Sequence, residues 1–528
     1  MRRFWRYALL VLALLVIGGA IWVSYYAKTL APRARQRVVD AVAQRFDADV
    51  DLKSLDISVF PQPKVVGTGL AIRHRNWNDP HPLIYIERFT AETNFATLIS
   101  RTNTVSQVRL DGLRLHLPPR GRAVLKQTAE AGNTDVASAN AGTDKTAFRF
   151  LIQTLIADGA VLEIEPKVAG KEPLRYQLQK LRLDSVGPGQ AMKFTTTLTN
   201  AKPPGLIDSE GRFGPWQKDD PRATPVEGNY DFQNADLSVF KGISGILTSK
   251  GSYHGVLQHI EVNGATDTPD FALKRGGTKV HLETKFHSIV NGTDGDTILD
   301  PVDARFLSSE FICEGGVVHQ VGIPGKTVTL DAETRRARME DILRLIENKK
   351  PFLTGAVKFK SRIVIPPGKE DVIDKLQLDG EFGVASAQFT SAKVEQKLET
   401  LSDRGRGITK KDEEEEPLQT VASNFLGRFK LNRGAVSFSQ LSFQVPGAGV
   451  ELAGVYNLRS EQIAMDGKFH MQATLSETQS GIKRLLLRPL DPLFEKDGAG
   501  FLLPIKITGA RDHPSLEVEI FHRTRAVR

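Results

Sequence analysis

A chain of 528 residues is long enough for two or three ordinary domains or one long repetitive one, and its 40% apolar fraction is adequate for a packed core. The 70 basic and 62 acidic residues leave a net charge of +8, much of it from Arg2, Arg3, Arg6, Lys28, Arg33, Arg35 and Arg37 beside one short segment, so no basic stripe for nucleic acid remains elsewhere. Cys313 is the single cysteine, which excludes an intrachain disulfide and a thiolate metal site; within Phe311-Ile312-Cys313 it reads as a buried, inert thiol.

The first predicted element is the uncharged run from Ala8 to Val23. A membrane-spanning helix needs about 20 apolar residues, a length reached here when Ser24, Tyr25 and Tyr26 are counted. Tyr7, Trp22, Tyr25 and Tyr26 stand at its two ends, where amphipathic rings favour the headgroup layer. Bulky residues occupy the place where a cleaved signal peptide needs small ones. The run therefore reads as an uncleaved anchor carried by Leu9, Leu12, Leu15, Ile17, Ile21 and Trp22. Positive charges flank both ends and leave orientation nearly balanced, but long domains translocate largely regardless of charge. The expectation is a short cytoplasmic tail, one span, and the bulk of the chain exported.

From Pro32 to Phe46 the spacing of Val38, Val39, Val42 and Phe46 predicts a helix, either resting on headgroups or capping the start of a sheet. From Val50 the period changes to two. Short runs alternate apolar and polar residues, punctuated about every ten to fifteen residues by Gly, Asn, Asp or Pro, which indicates an all-β architecture. In the run from Val105 to Leu117 the apolar phase slips at Asp111-Gly112, as a bulge or turn at glycine produces. Residues Arg120 to Thr146 are small and polar and read as a flexible linker. Helical spacing returns over Arg335 to Asn348, Ala392 to Ser402 and Gln479 to Phe494, each expected to cover a sheet end or edge. The acidic run Asp412 to Glu416 reads as a solvated linker.

Catalytic and cofactor motifs are absent from the sequence: no H-E-x-x-H, G-x-S-x-G, Walker A loop or G-x-G-x-x-G occurs. The run from Asn291 to Asp296 superficially resembles a calcium loop but lacks the closing Glu, and reads as a polar turn. His319 and His470 alternate with apolar residues as ordinary strand histidines do. No enzyme activity, cofactor or metal is expected.

The order of these elements resembles the AsmA family. The resemblance rests on Phe60-Pro61, Gly69-Leu70, Leu98-Ile99 and Leu110-Asp111-Gly112-Leu113 in the first part of the chain. In the second part it rests on Leu378-Asp379-Gly380, Gln388-Phe389-Thr390, the helical run from Lys393 and the closing segment LPIKITGARDHPSL. It implies a mainly β protein, an elongated curled antiparallel sheet forming a taco-like groove, with a few short helices and one N-terminal transmembrane helix. It also implies an inner-membrane protein with its bulk in the periplasm, related to bridge-like lipid-transfer proteins and associated with phospholipid traffic and outer-membrane homeostasis. Its partners would be membrane lipids, the inner membrane and periplasmic or outer-membrane proteins, with no nucleic acid. The expected divisions are a tail and anchor (1–27), an N-terminal module (28–119), a linker (120–147), a central β region (148–390), a helix with the acidic linker (391–417) and a C-terminal module (418–528).

An apolar face on such strands could hold acyl chains without catalytic residues, each buried CH₂ contributing about 0.8 kcal/mol. The alternative is a non-enzymatic periplasmic scaffold or assembly factor whose strands close into filled cores. Alternation does not separate these, and it names no groove-lining residue.

Overall fold

A computed structural model describes residues 35–36, 39–40, 43, 48–58, 62–74, 81–93, 104–117, 151–164, 173–187, 189–217, 220–274, 277–320, 323, 325–348, 350–368, 370–390, 392–406, 423–473, 500–511, 513–520 and 523–527. They fall into two units: Met1–Ala235 with Thr248–Ile260, and Asp236–Leu247 with Glu261–Arg528. The boundary lies inside the stretch read as one central region. The expected anchor, polar linker, acidic run and helix from Gln479 lie outside the described residues. Among the described residues no helix is long and apolar enough to cross a membrane.

Strands dominate, as the period-2 pattern predicts. The first unit holds β1 (Ala48–Ser58), β2 (Lys64–His74), β3 (Ile84–Glu92), β4 (Thr104–Asp111), β5 (Arg114–Leu117), β6 (Leu151–Asp158), β7 (Ala160–Ile164), β8 (Leu174–Val186), β9 (Met192–Ala201), β10 (Pro204–Phe213) and β11 (Pro225–Asp236). The chain then runs through β12 (Ile243–Ser244), β13 (Ile246–Val256), β14 (His259–Leu273), β15 (Val280–Val290), β16 (Thr297–Phe306), β17 (Ser309–His319) and β18 (Lys326–Arg338). Next come α1 (Met339–Ile346), β19 (Leu353–Ile365), α2 (Val372–Lys375), β20 (Gln377–Phe389) and α3 (Ala392–Gly405). The last strands are β21 (Ser423–Asn432), β22 (Ala435–Val445), β23 (Ala448–Asn457), β24 (Gln462–Met471), β25 (Phe501–Ala510), β26 (His513–Ile520) and β27 (Arg523–Val527).

In the first unit β1, β2 and β3 form an antiparallel meander. β3 then pairs with both β4 and β5, which are one strand interrupted at Gly112-Leu113. β4 and β5 pair in parallel with β6 and β7, an equally interrupted strand. A parallel pair needs a crossover of a dozen or more residues, and the chain from Leu117 to Leu151 supplies it. β8 is long enough to lie antiparallel to both β6 and β7.

The phase slip expected at Asp111-Gly112 is one member of a line. Lys53, Gly69, Glu87, Gly112, Gly159 and Gln179 fall at the same level on successive strands, and at each the inward-facing positions change parity. On one side of this crease Leu52, Leu70, Ile86, Leu113, Ala160 and Leu178 face inward; on the other Leu55, Phe89, Leu110, Ala157 and Leu181 do. All eleven belong to a single apolar cluster. Gly69, Gly112 and Gly159 have φ of 65°, 64° and 69°, the left-handed region that glycine enters without penalty. The crease ends where the β8–β9 register shifts between Leu178 and Lys180. Of the expected N-terminal helix, residues 35–36, 39–40 and 43 are helical. Val39 packs on the crease cluster and Arg35 Nε donates to the Leu52 carbonyl at 2.7 Å, which favours sheet capping.

In the second unit β15 to β27 pair antiparallel, each with its sequence neighbour. Arg433-Gly434, with φ of 49° and 73°, make the two-residue turn joining β21 to β22, the doubly left-handed geometry that matches strand twist. The helix expected from Arg335 starts at Met339 instead. Arg335–Arg338 finish β18 because Ala337, 3% exposed, pairs with Val357 and fills the core beneath α1. Met339, Ile342 and Leu343 of α1 pack on Leu353, Val357 and Val384. Leu398 and Leu401 of α3 pack on Val445, Ala448 and Met471. Both helices thus sit at the same ends of the strands. Asp341 fixes α1 there: it is 4% exposed and accepts hydrogen bonds from Ser308 N (3.0 Å), Ser308 Oγ (2.6 Å) and Ser309 Oγ (2.8 Å).

Candidate functional site

Pleating puts alternate residues on opposite faces of a sheet, and the registers of β15 to β25 sort them cleanly. One face carries Phe286, Val302, Phe311, Leu330, Phe359, Phe382, Phe425, Phe429, Phe443, Leu452, Phe469 and Leu503, joined strand to strand. The rings associate: Phe382 lies 5.3 Å from Phe425 and 6.2 Å from Phe429, and Phe425 lies 6.4 Å from Phe443. Cys313 shares this face, half-buried as a strand thiol, and burial raises its pKa.

Glycine lets these rings lie flat. Gly427 pairs with Phe382, and a Cβ there would sit 2.3 Å from the Phe382 ring. The side chains give a low apolar wall. Val357, Val384, Phe429 and Leu431 are buried, while Phe359, Phe382, Phe425, Leu441, Leu452 and Phe469 are half-buried. Ordinary cores bury such side chains completely.

The opposite face is charged. Lys360–Glu333 (3.3 Å), Arg428–Glu381 (3.5 Å), Lys430–Asp379 (2.9 Å) and Lys506–Asp466 (3.7 Å) are ion pairs between direct register partners. Two depressions of about 500 and 540 Å³ both touch Glu333, Lys360, Glu381 and Arg428. Both are rimmed by these charges, and the second also touches Phe359, Phe382 and Leu426.

The first unit's inward face is apolar around the crease and turns polar beyond it. Ser209 Oγ bonds Tyr253 Oη at 2.8 Å, and Tyr230 Oη bonds Ser249 Oγ at 3.1 Å. Burial raises the pKa of both phenols against the lowering effect of these hydrogen bonds, so they stay neutral.

Among the described residues Asp267, His281 and Glu283 bring three possible metal ligands within 4.8 Å of one another. His281 Nε2 is hydrogen-bonded to Asp267, which holds the imidazole pKa above its ordinary value. Arg305 opposes Glu283 in register. His281 and Asp267 form an ion pair across β14 and β15, and the group reads as that pair with Glu283 beside it. The run from Asn291 to Asp296 is a polar turn, in which Asn291 Oδ1 accepts from Thr293 N at 2.9 Å. His319 Nδ1 meets Asp296 Oδ1 at 2.6 Å.

The anchor residues Leu9, Leu12, Leu15, Ile17, Ile21 and Trp22 lie outside the described residues. The wall residues, which sequence reading did not name, carried a partial signal: Phe425 and Phe429 are an even number of positions apart, as one strand face requires, while Phe438 and Phe443 are an odd number apart and share a face only through a bulge. Two of the motifs behind the resemblance, Gly69-Leu70 and Leu110-Asp111-Gly112-Leu113, form part of the crease.

Comparison with known proteins gives one positive finding: the model of the AsmA family matches residues 1–255. No curated protein and no solved structure matches the chain.

Proposed function

We propose, for a chain that belongs to the AsmA family through its residues 1–255, that it is held in the inner membrane by its N-terminal apolar run and carries phospholipids or similar acyl lipids. The cargo chains lie along the apolar face of the sheet, which forms a groove in the periplasm, and the protein supports outer-membrane homeostasis without catalysis. The observation that carries this reading is the half-buried phenylalanine wall of β15 to β25, backed by a charged outer face. Each CH₂ leaving water for such a wall contributes about 0.8 kcal/mol when fully covered. A chain of a dozen or more methylenes then binds without a specific polar contact. Lipid headgroups remain in water, so the wall itself needs no charged partner.

The test is detergent-free extraction of the full chain followed by lipid mass spectrometry, with photoreactive acyl probes mapped by peptide. Lipid in stoichiometric amount and labelling at Phe359, Phe382 or Phe425 are expected. An empty protein with no labelling of these strands would instead favour a periplasmic scaffold.

A further inference from the structure

We propose that an exposed basic and apolar patch at the end of α1 docks on an anionic bilayer surface. This goes beyond carriage of lipid, because it concerns where the second unit touches a membrane.

The apolar stripe of α1 runs through Met339, Ile342 and Leu343, which pack inward. Ile346 continues that stripe but is 51% exposed. Six residues on, Phe352 is 54% exposed, while its neighbour Leu353 is 4% exposed in the core. Alternation at the start of β19 thus sends Leu353 in and Phe352 out. Exposed apolar side chains occur elsewhere too, but these two bracket one short connection between α1 and β19.

The backbone presenting these side chains is braced. Thr278 N donates to the Arg344 carbonyl at 2.9 Å, and Glu347 N to the Leu343 carbonyl at 2.8 Å. Thr390 N donates to the Phe352 carbonyl at 3.1 Å, and Thr390 Oγ1 to the Pro351 carbonyl at 2.9 Å. The platform is therefore prepared before anything lands on it.

Its charge is mainly basic, with the nearby acids held in ion pairs. Arg344 and Lys350 are exposed; Lys279, on the segment that Thr278 ties to α1, is exposed too but pairs with Asp270 at 3.9 Å. The acid between them, Glu347, is paired with Arg511 at 3.0 Å. Two apolar wedges among cations match an interface where rings enter the headgroup layer and basic residues meet anionic lipid. A protein partner needs a buried area on the order of 1,000 Å², far more than two side chains offer.

The experiment uses the full chain in nanodiscs of neutral lipid. It measures capture of free phosphatidylcholine vesicles with and without phosphatidylglycerol. Capture is expected only with phosphatidylglycerol, and weakens as salt rises. K279E/R344E/K350E should lower it on the order of a hundredfold, and I346S/F352S on the order of tenfold. F352W, which keeps the ring, should retain capture and be quenched by brominated lipid in the vesicles. Equal capture by neutral vesicles, an unquenched Trp, or full capture by I346S/F352S overturns the proposal. Lipid co-purifying with I346S/F352S should match the unmodified chain. Loss of cargo lipid with vesicle capture intact would sink the carriage reading and leave this one standing.

Discussion

Asp111 and Asp158 are direct register partners on the parallel strands β4 and β6, and Arg109 reaches both, at 3.5 and 3.1 Å. Two carboxylates facing each other across a ladder repel, and the guanidinium between them offsets that. All three side chains are about half exposed, so solvent screens the pairing. Arg109→Ala should lower stability by about 1 kcal/mol. Arg109→Ala combined with Asp111→Asn should recover part of it, read by urea unfolding.

The two glycines beside these carboxylates predict unequal outcomes. Both have positive φ, but a Cβ at Gly112 would lie 2.8 Å from Glu87 Cβ, whereas at Gly159 nothing stands within 4 Å. Gly159→Ala should cost about 1 kcal/mol from backbone strain alone, and Gly112→Ala about 2 kcal/mol or more. Equal losses in thermal unfolding would show that the crease does not bring the strands as close as described.

Leu52, 0% exposed, sits at the centre of the crease cluster. Leu52→Ala should destabilise the first unit by about 2–5 kcal/mol. Native-state hydrogen exchange should place the loss in β1, β2 and β3 and leave β21 to β24 protected.

Asp341 tests the seat of α1. Asp341→Ala leaves Ser308 and Ser309 without their acceptor and should cost about 2–4 kcal/mol. Proteolysis between Arg338 and Lys350 should accelerate, since the helix loses its tie to the β16–β17 turn.

Acid should act through Asp296. Burial alone would raise its pKa, but hydrogen bonds from the His319 ring and backbone, with the charges of His319 and Lys326, hold it below the ordinary value of 3.8. A carboxylate lowered on folding adds stability that is complete above its unfolded value. That stability is lost as pH falls through the lower folded one. Asp296→Asn should therefore be less stable at neutral pH and show a flatter decline below about pH 4, measured by denaturation at several pH values.

The alternation of apolar and polar residues made the strands and their two faces legible, because pleating leaves its mark on every second residue. The slip at Asp111-Gly112 was legible too, since glycine flags it. Its continuation through Lys53 and Glu87 was not, because those residues adopt the kink only where glycines on neighbouring strands give them room. The start of α1 was misplaced for a related reason. Arg335 to Arg338 favour helix locally, but pairing of Ala337 with Val357 holds them extended. The wall itself depends on which strand lies beside which. That Phe382 lies over Gly427 is a fact of register between residues forty-five positions apart, and no local pattern carries it.

Because β15 to β27 bond only to the strands before and after them in sequence, a hairpin could be gained or lost there by duplication or deletion without disturbing any pairing but the one it joins. The length of the greasy surface is then set by how many such hairpins follow one another, not by any long-range closure.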